Sequence, residues 1–131
     1  MSSQPITAPA QWPEALRRDF ESNQFDGHVG SRLVSETERV RVWILTLRPG
    51  ERIGFHRHVL DYFWTCLSNG TARSNYANGR AQQVTYEPGD TQHHSYGPGE
   101  CMIHDLENVG STDLTFTTVE FLDSSNAPLP L

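Results

Sequence analysis

The sequence predicts a single all-β domain, built as a sandwich or a closed jelly roll, with one short helix ahead of it. From Gly27 onward, short strand patterns alternate with turn signals roughly every 8 to 12 residues, which gives about nine strands. Only 36% of the residues are hydrophobic and the mean hydropathy is -0.55, which favours a thin-walled β structure over a large helical core. At 131 residues, the chain can build one core without disulfides.

The segment ahead of the strands is predicted to be an extension that contains the short helix. Residues 1–12 are rich in Pro, Ser and Ala, so we expect them to be frayed or draped over the β domain. Pro13 can begin a helix over PEALRRDFE, in which Leu16 and Phe20 share one face. This helix is either a lid or clip, or a dispensable addition. The predicted division is an extension, a β domain and an exposed tail: residues 1–26, 27–123 and 124–131.

Alternating patterns around turn residues predict two hairpins. GSRLVSE and RVRVWILTL flank a short Thr37-Glu38 connection, and Asn78-Gly79 joins TARSNY to AQQVTYE through a turn that needs positive φ values. The RVRVWILTL strand is apolar on both faces, and so is the strand from Tyr62 to Leu67. A strand of this kind is buried on both faces, so a second sheet or a partner subunit must cover its outside. A homodimer is therefore predicted.

The charge and the apolar runs exclude several classes of partner. The net charge of -6 and the pI near 5.4 argue against nucleic acid or an anionic membrane as the main partner. No apolar run approaches the length of a membrane span, and the start MSSQPITAPAQWP lacks the basic and apolar regions of a signal peptide. We therefore expect a cytoplasmic protein whose ligand or substrate is a small molecule.

Two histidines one residue apart are the first candidate site. His56 and His58 lie in a segment with a strand pattern, and residues two apart on a strand point to the same face. Their ring nitrogens can therefore converge on one metal ion, while Arg57 points away toward solvent or the opposite layer. The alternative is that the pair belongs to a hydrated surface.

Two stretches resemble the motifs of the cupin superfamily. PGERIGFHRHVLDYFWTCLSNG resembles the first motif: a glycine, five residues, the pair His56-x-His58, and an aromatic strand. The second motif is similar to the PGD that begins at Pro88 together with the HDLENVG that begins at His104. The resemblance covers roughly residues 40–122 and implies a double-stranded β-helix, the jelly-roll barrel of that superfamily.

The resemblance also implies a metal site. In cupins, the two motif-1 histidines and the motif-2 histidine bind one divalent metal inside the barrel, which here implies His56, His58 and His104. Neutral imidazole suits several divalent metals, and three histidines leave coordination positions open. We expect Fe(II) first, with Zn, Ni or Mn as alternatives. Two features depart from the family: the motif-1 glutamate falls on Tyr62 or Phe63, and SYGPGECMI is inserted in the second motif.

The missing glutamate leaves four interpretations open. Asp61 could supply a carboxylate if a bulge shifts the register of the strand, or Tyr62 could be a ligand or an acid near the metal. A three-histidine site without a carboxylate is found in cupins such as the thiol dioxygenases, where it leaves iron room for a bidentate substrate and O2. The fourth interpretation is a degenerate site that binds metal weakly or not at all.

Candidate catalytic groups lie near the predicted ligands. His93 and His94 are adjacent, so only one can face inward, where it could be a fourth ligand or a general base; Tyr62 is the third candidate. The alternative for the histidine pair is an ordinary surface position. A ligand histidine usually donates its second N–H to a carboxylate or carbonyl, and three carboxylates are candidates: Asp105, Glu107 and Glu120.

Three side chains have one structural and one functional interpretation each. Arg73 would meet an anionic or polar substrate if its face of the strand, shared with Asn75, points inward, and would be solvated otherwise. Cys66 and Cys101 are predicted to be reduced thiols on strands, with the alternative that one of them lines the cavity.

Taken together, the sequence predicts a small metal-dependent enzyme that acts on a small organic molecule. Dioxygenase chemistry comes first. Isomerase or lyase chemistry, in which His93, His94 or Tyr62 moves a proton, comes second. The competing hypothesis is a non-catalytic barrel that binds or senses a small molecule. The fold alone cannot decide, because such barrels host many unrelated reactions.

Overall fold

The computed structural model describes residues 4–131 and confirms the all-β prediction with one short helix. Within this range, none of the residues forms an apolar helix of membrane-spanning length. The elements are α1 Glu14–Asn23, β1 Arg32–Glu36, β2 Val40–Leu47, β3 Arg52–His58, β4 Tyr62–Cys66, β5 Gly70–Asn75, β6 Ala81–Tyr86, β7 Thr91–His94, β8 Met102–Asn108 and β9 Leu114–Phe121.

The strands form two antiparallel sheets that face each other as a jelly roll. The first sheet has the order β1-β2-β9-β4-β7 and the second has the order β3-β8-β5-β6. Both predicted hairpins are confirmed: β1 pairs with β2, and β5 pairs with β6 across a turn in which Gly79 has a φ of 87°. Neighbours in each sheet are often distant in sequence, so strands from both halves of the chain build one interior.

The apolar interior has two parts. The first fills one end of the barrel between the two sheets and includes Leu47, Cys66 and Leu114. The second lies outside the barrel, between α1 and the back of β3, and contains the rings of Trp12, Phe20 and Phe55. The ring centroids of Trp12 and Phe55 are 5.3 Å apart in a stacked arrangement, and Phe20 meets both rings edge-on. We call these three rings the N-terminal aromatic cluster.

The chain ahead of α1 is held against the helix by buried polar contacts. The side chain of Gln24 accepts a hydrogen bond from Ile6 N at 2.7 Å and donates one to Ile6 O at 2.8 Å. Glu21 accepts a second backbone hydrogen bond, from Ala8 N at 3.0 Å. Ile6, Ala8 and Trp12 therefore tie this segment to α1 and β3, although residues 4–7 are exposed. The predicted domain boundaries and the choice between a clip and a dispensable extension stay predictions.

An ion-pair network ties α1 to the second sheet. Arg52 donates from Nη2 to Asp19 Oδ2 at 2.7 Å and from Nε to the buried Asp105 Oδ2 at 2.9 Å. Asp105 also accepts a hydrogen bond from Asn75 N at 2.6 Å, and Asp19 accepts one from Phe55 N at 3.2 Å. Burial alone would raise the pKa of Asp19, but the hydrogen bonds that it accepts lower it overall.

Part of the outer face of the first sheet is apolar, as the apolar pattern on both faces of β2 predicts. On β2, Val40, Val42 and Ile44 alternate with buried inward residues and are themselves half-buried by their neighbours. Val119 of β9 is directly opposite Val42 and extends this surface. The predicted homodimer, in which a partner covers this face, stays a prediction.

Candidate metal centre

Strand pairing brings the three predicted histidines together. His56 of β3 lies directly opposite His104 of β8, and His58 follows two residues along β3 on the same face. A one-residue register shift between Ile53 and His56, which is a β-bulge, turns Phe55 outward and both histidines inward. The three candidate ligand nitrogens, one from each histidine, all lie within 4.8 Å of one another.

The geometry of the cluster fits a metal ion. The Nε2 atoms of His58 and His104 are 3.2 Å apart, and two nitrogens bound to one ion at about 2.1 Å are separated by about 3.0 to 3.4 Å. Without an ion, only one hydrogen can lie between these two atoms. The Nδ1 atoms of His58 and His104 are also buried and have no hydrogen-bond partner in residues 4–131. The close Nε2 pair is the observation that fits a metal, because an ion bound there would not reach the Nδ1 atoms on the other side of each ring.

The electrostatics keep the cluster in the form that binds metal. Burial lowers the pKa of His56, and it lowers the pKa values of His58 and His104 further, with repulsion from His56 as the second cause for these two. All three rings are thus neutral near pH 7 and have lone pairs to offer. His56 donates from Nδ1 to the carbonyl of Gly54 at 2.9 Å, which leaves its Nε2 free to bind a metal.

A cavity of about 510 Å³ adjoins the histidines, and both sheets contribute to its wall. Tyr62 lines it at the position where the sequence motif would have glutamate, and its ring stacks on His58 with centroids 4.2 Å apart. Burial is the main cause that raises the pKa of Tyr62 well above its ordinary value, so its hydroxyl stays protonated. Phe63, the other candidate for the glutamate position, points to the outer face and contacts His93.

Comparison with solved structures decides the fold family. A cupin domain from Bordetella pertussis Tohama I is 23% identical over 69% of this chain and 88% of its own, with a TM-score of 0.60. An uncharacterized conserved protein with a double-stranded β-helix domain from Klebsiella pneumoniae is 27% identical over 76% of this chain and 75% of its own, with a TM-score of 0.56. A cupin superfamily protein from Desulfitobacterium hafniense DCB-2 is 16% identical over 92% of this chain and all of its own, with a TM-score of 0.52.

The chain has the cupin fold. The predicted resemblance to the cupin superfamily is thereby confirmed, and the three histidines occupy the positions that the resemblance implied. No protein-family model matches the sequence, and no curated protein matches it.

The structure shows which of the remaining candidate residues line the cavity. His94 lines the cavity and its ring stacks on Tyr62, with centroids 4.8 Å apart, whereas the adjacent His93 is exposed on the outer face. Burial and the neighbouring His93 lower the pKa of His94. Asp61 does not line the cavity, and its Oδ1 accepts a hydrogen bond from Tyr96 N at 2.9 Å. The catalytic roles of His93, His94 and Tyr62 stay predictions.

No carboxylate accepts a hydrogen bond from the three histidines in the part of the cupin that the structure describes. Asp105 instead bonds Arg52 and Asn75, and Glu120 accepts a buried hydrogen bond from Trp43 Nε1 at 2.8 Å. Burial raises the pKa of Glu120, although the bond from Trp43 opposes this. The carbonyl of Gly54 takes the role that the sequence assigned to a carboxylate.

The sequence did not show which rings form the aromatic wall of the cavity. Trp64, Tyr86 and Phe116 meet edge-on, with ring centroids 5.1 to 5.5 Å apart, and all three line the cavity. We call these three rings the cavity aromatic cluster. Trp64 lies two residues after Tyr62, so strand alternation could have placed it inward. The other two need the register of β6 and β9, which the sequence does not give.

Three side chains that had both a structural and a functional interpretation lie away from the cavity wall: Arg73, Cys66 and Cys101. Arg73 is exposed on the outer side of β5, while Ser74 beside it is buried and lines the cavity. Cys66 is buried in the apolar core and Cys101 is half-buried, both as free thiols, and neither lines the cavity. Cys66 therefore fits the prediction of a buried thiol on a strand, whereas Cys101 lies just ahead of β8.

Proposed function

We propose that this cupin is a metal-dependent enzyme for a small organic molecule, with one divalent metal bound by His56, His58 and His104. The observation that carries the proposal is the convergence of three neutral imidazoles, two buried and one half-buried, beside a cavity of about 510 Å³; the Nε2 atoms of two of them are 3.2 Å apart. A cavity of this size holds a small ligand. Two imidazole nitrogens this close are unfavourable unless a hydrogen or an ion lies between them.

The donor set favours dioxygenase chemistry over isomerase or lyase chemistry. A metal on three neutral imidazoles would supply a Lewis acid with two or three open positions and, as Fe(II), redox chemistry as well. Tyr62 occupies the glutamate position without offering a carboxylate, so this chain leaves that position to a donor from the substrate. Fe(II) is accordingly the first choice of metal, and Zn, Ni and Mn are the alternatives.

We assign the proton-handling roles to side chains that line the cavity. His94 is half-buried there and can accept a proton from a substrate at a ring nitrogen. The hydroxyl of Tyr62 can donate a hydrogen bond to a substrate oxygen. The role that the sequence left between His93 and His94 falls to His94, because His93 faces away from the cavity.

Elemental analysis of purified protein tests the metal site. Wild type, His104→Ala, the double variant His56→Ala/His58→Ala, and His93→Ala are compared before and after anaerobic reconstitution with Fe(II), Mn(II) and Zn(II). We expect about one equivalent of metal in wild type and in the His93→Ala control, and less than about a tenth of that in the ligand variants. Metal retained by His104→Ala, or absent from reconstituted wild type, would refute the site.

Oxygen consumption and product analysis separate the two enzyme classes. Fe(II)-loaded protein that consumes O2 with a small aromatic or thiol substrate supports the dioxygenase proposal. Turnover without O2, with Zn, Ni or Mn in place of Fe, supports an isomerase or lyase.

The second candidate function is a non-catalytic barrel that binds or senses a small molecule. The aromatic wall of the cavity and the absence of a carboxylate at the glutamate position favour it. Ligand binding that is equal with and without metal, combined with no turnover in any metal form, would establish this function instead.

We also propose that the cupin is a homodimer that pairs through the outer face of the first sheet. The half-buried Val42 and Ile44 of β2, opposite Val119 of β9, form an apolar surface that a second copy would bury. The cytoplasmic location likewise remains a proposal based on the sequence.

A further inference from the structure

We infer that the cavity takes a small molecule with a flat, apolar body and at most one ionised group. The inference rests on the proposed function, because the single ionised or ionisable group is the one that would face the three histidines. It adds the chemical class of the ligand, and it depends on side chains outside the metal centre.

The cavity aromatic cluster gives the cavity an apolar wall. Trp64 lies two residues along β4 from Tyr62 on the same inward face, a rise of about 7 Å. The cluster therefore adjoins the histidine end of the cavity, within the reach of one ring-sized molecule. The rest of the apolar cavity wall consists of aliphatic side chains: Leu45, Val84, Met102 and Leu106. Edge-on aromatic walls of this kind favour a planar ring as occupant.

The charged side chains in the cavity lining do not suit a second anionic group. Among the described residues that do so, none is lysine or arginine. Carboxylates and phosphates are usually held by the donor fork of arginine or by the ammonium group of lysine. The one carboxylate in the lining is Asp90, which would repel a second anion. Arg73, which could have served an anionic substrate, lies on the outer side of β5.

The polar groups of the wall suit hydrogen bonding to an uncharged group. Ser74, Gln82, Gln92 and Thr118 line the cavity, and each can pair with a hydroxyl or a carbonyl group. Gln92 lies directly opposite Trp64 across the β4–β7 pair, so its amide is next to the aromatic wall. A ligand with a second ionised group would have to leave that charge unpaired in a partly buried site.

A matched pair of probes tests the inference. 4-Methylcatechol and 3,4-dihydroxybenzoate share a ring and two hydroxyls, and they differ in that the second has a carboxylate where the first has a methyl group. Both are titrated calorimetrically, without oxygen, into the Zn(II)-loaded protein, because zinc has no redox chemistry. We expect 4-methylcatechol to bind about tenfold more tightly or better, since 1.4 kcal/mol corresponds to a factor of ten.

Two variants and one control variant locate the selectivity. Trp64→Ala should weaken the binding of 4-methylcatechol about tenfold without changing the zinc content, while Phe63→Ala, the adjacent residue on the outer face, should leave binding unchanged. Gln92→Lys should raise the affinity for 3,4-dihydroxybenzoate about tenfold. Thermal melting of each variant confirms that it is folded.

The outcomes separate this inference from the proposed function. Equal or tighter binding of 3,4-dihydroxybenzoate by wild type would overturn the inference, even if zinc is bound in full. If the protein retains no zinc, the proposed metal site fails, and the same two probes on the metal-free protein still decide the ligand class. A Gln92→Lys variant with unchanged preference would overturn the charge argument.

Discussion

The phenol ring of Tyr62 lies nearly parallel to the imidazole of His58, at an interplanar angle of 14°. This stack holds the orientation of a ring that has no hydrogen-bond partner at Nδ1 in the described structure. We predict that Tyr62→Ala weakens zinc binding about tenfold, as loss of a group that orients a ligand usually does. Tyr62→Phe keeps the ring and should bind zinc normally. Competition with a chelator measures both, and equal loss in the two variants would assign the effect to the hydroxyl.

The ion pairs of Arg52 predict a stability effect that depends on pH. Arg52→Met leaves Asp19 and the buried Asp105 without their cation and should lower the free energy of unfolding by about 2 kcal/mol or more at neutral pH. The pKa of Asp19 is lower in the folded protein than in the unfolded chain. Ionised Asp19 therefore stabilises the fold fully at pH values above its unfolded pKa, and this stabilisation is lost as the pH falls through its folded pKa. Urea unfolding from about pH 7 down to about pH 3 should show the difference shrink.

The exposed pair of Arg18 and Glu14 gives the control for Arg52. Arg18→Met should change the free energy of unfolding by less than about 0.5 kcal/mol, because solvent weakens exposed ion pairs. An Arg52→Met variant as stable as Arg18→Met would contradict the proposed role of the network.

Replacing Glu120 should stabilise the protein. Its carboxylate is buried and its pKa is raised, so keeping it ionised in the fold costs free energy at neutral pH, although Trp43 donates a hydrogen bond to it. Glu120→Gln keeps an acceptor for Trp43 and removes the charge. We expect a higher midpoint of urea unfolding at about pH 7. We expect no gain at about pH 4, where the Glu120 carboxyl of the wild type is largely protonated in both the folded and the unfolded state. Destabilisation at pH 7 would show that the charge has a partner worth more than its burial cost.

The N-terminal aromatic cluster predicts that the extension is not dispensable. Trp12 is only 9% exposed and stacks on Phe55, so Trp12→Ala should cost about 3 kcal/mol. Phe25→Ala, at a ring that is 37% exposed, is the control and should cost much less. Chemical denaturation gives both values. A loss below about 1 kcal/mol for Trp12→Ala would favour the dispensable extension.

The outer face of β2 predicts the oligomeric state. If two copies pair there, Val42→Lys and Ile44→Lys put charges into the interface and should halve the mass found by light scattering. Glu38→Lys, in the turn between β1 and β2, adds a positive charge away from the apolar face and should leave the mass unchanged. A wild type that is monomeric at high micromolar concentration would contradict the dimer.

The sequence was sufficient for the fold and for the three histidines, because both depend on local patterns. Two-residue spacing puts His56 and His58 on one face, and the resemblance of the two motifs to those of cupins implied that His104 lies beside them. Strand alternation likewise predicted that one of His93 and His94 faces inward, but it could not say which. That choice depends on how β7 pairs with β4, which is a long-range property.

The features that the sequence did not predict depend on long-range contacts. Arg52 and Asp105 are 53 residues apart in sequence, and Trp43 and Glu120 are 77 apart. No local pattern marks either pair. The bulge ahead of His56 was missed for the same reason, since it appears only in the register between β3 and β8.

The two faces of β3 link the candidate metal centre to the N-terminal segment. His56 and His58 face the cavity, while Phe55 contacts Trp12 on the reverse side and Arg57 donates to the carbonyl of Gln24 at 2.7 Å. Local opening of the N-terminal segment would free the strand that contributes two of the three candidate ligands, while the pairing of the first sheet stays intact. The rate at which metal exchanges with solution and the rate of amide hydrogen exchange along β3 should therefore share one opening step.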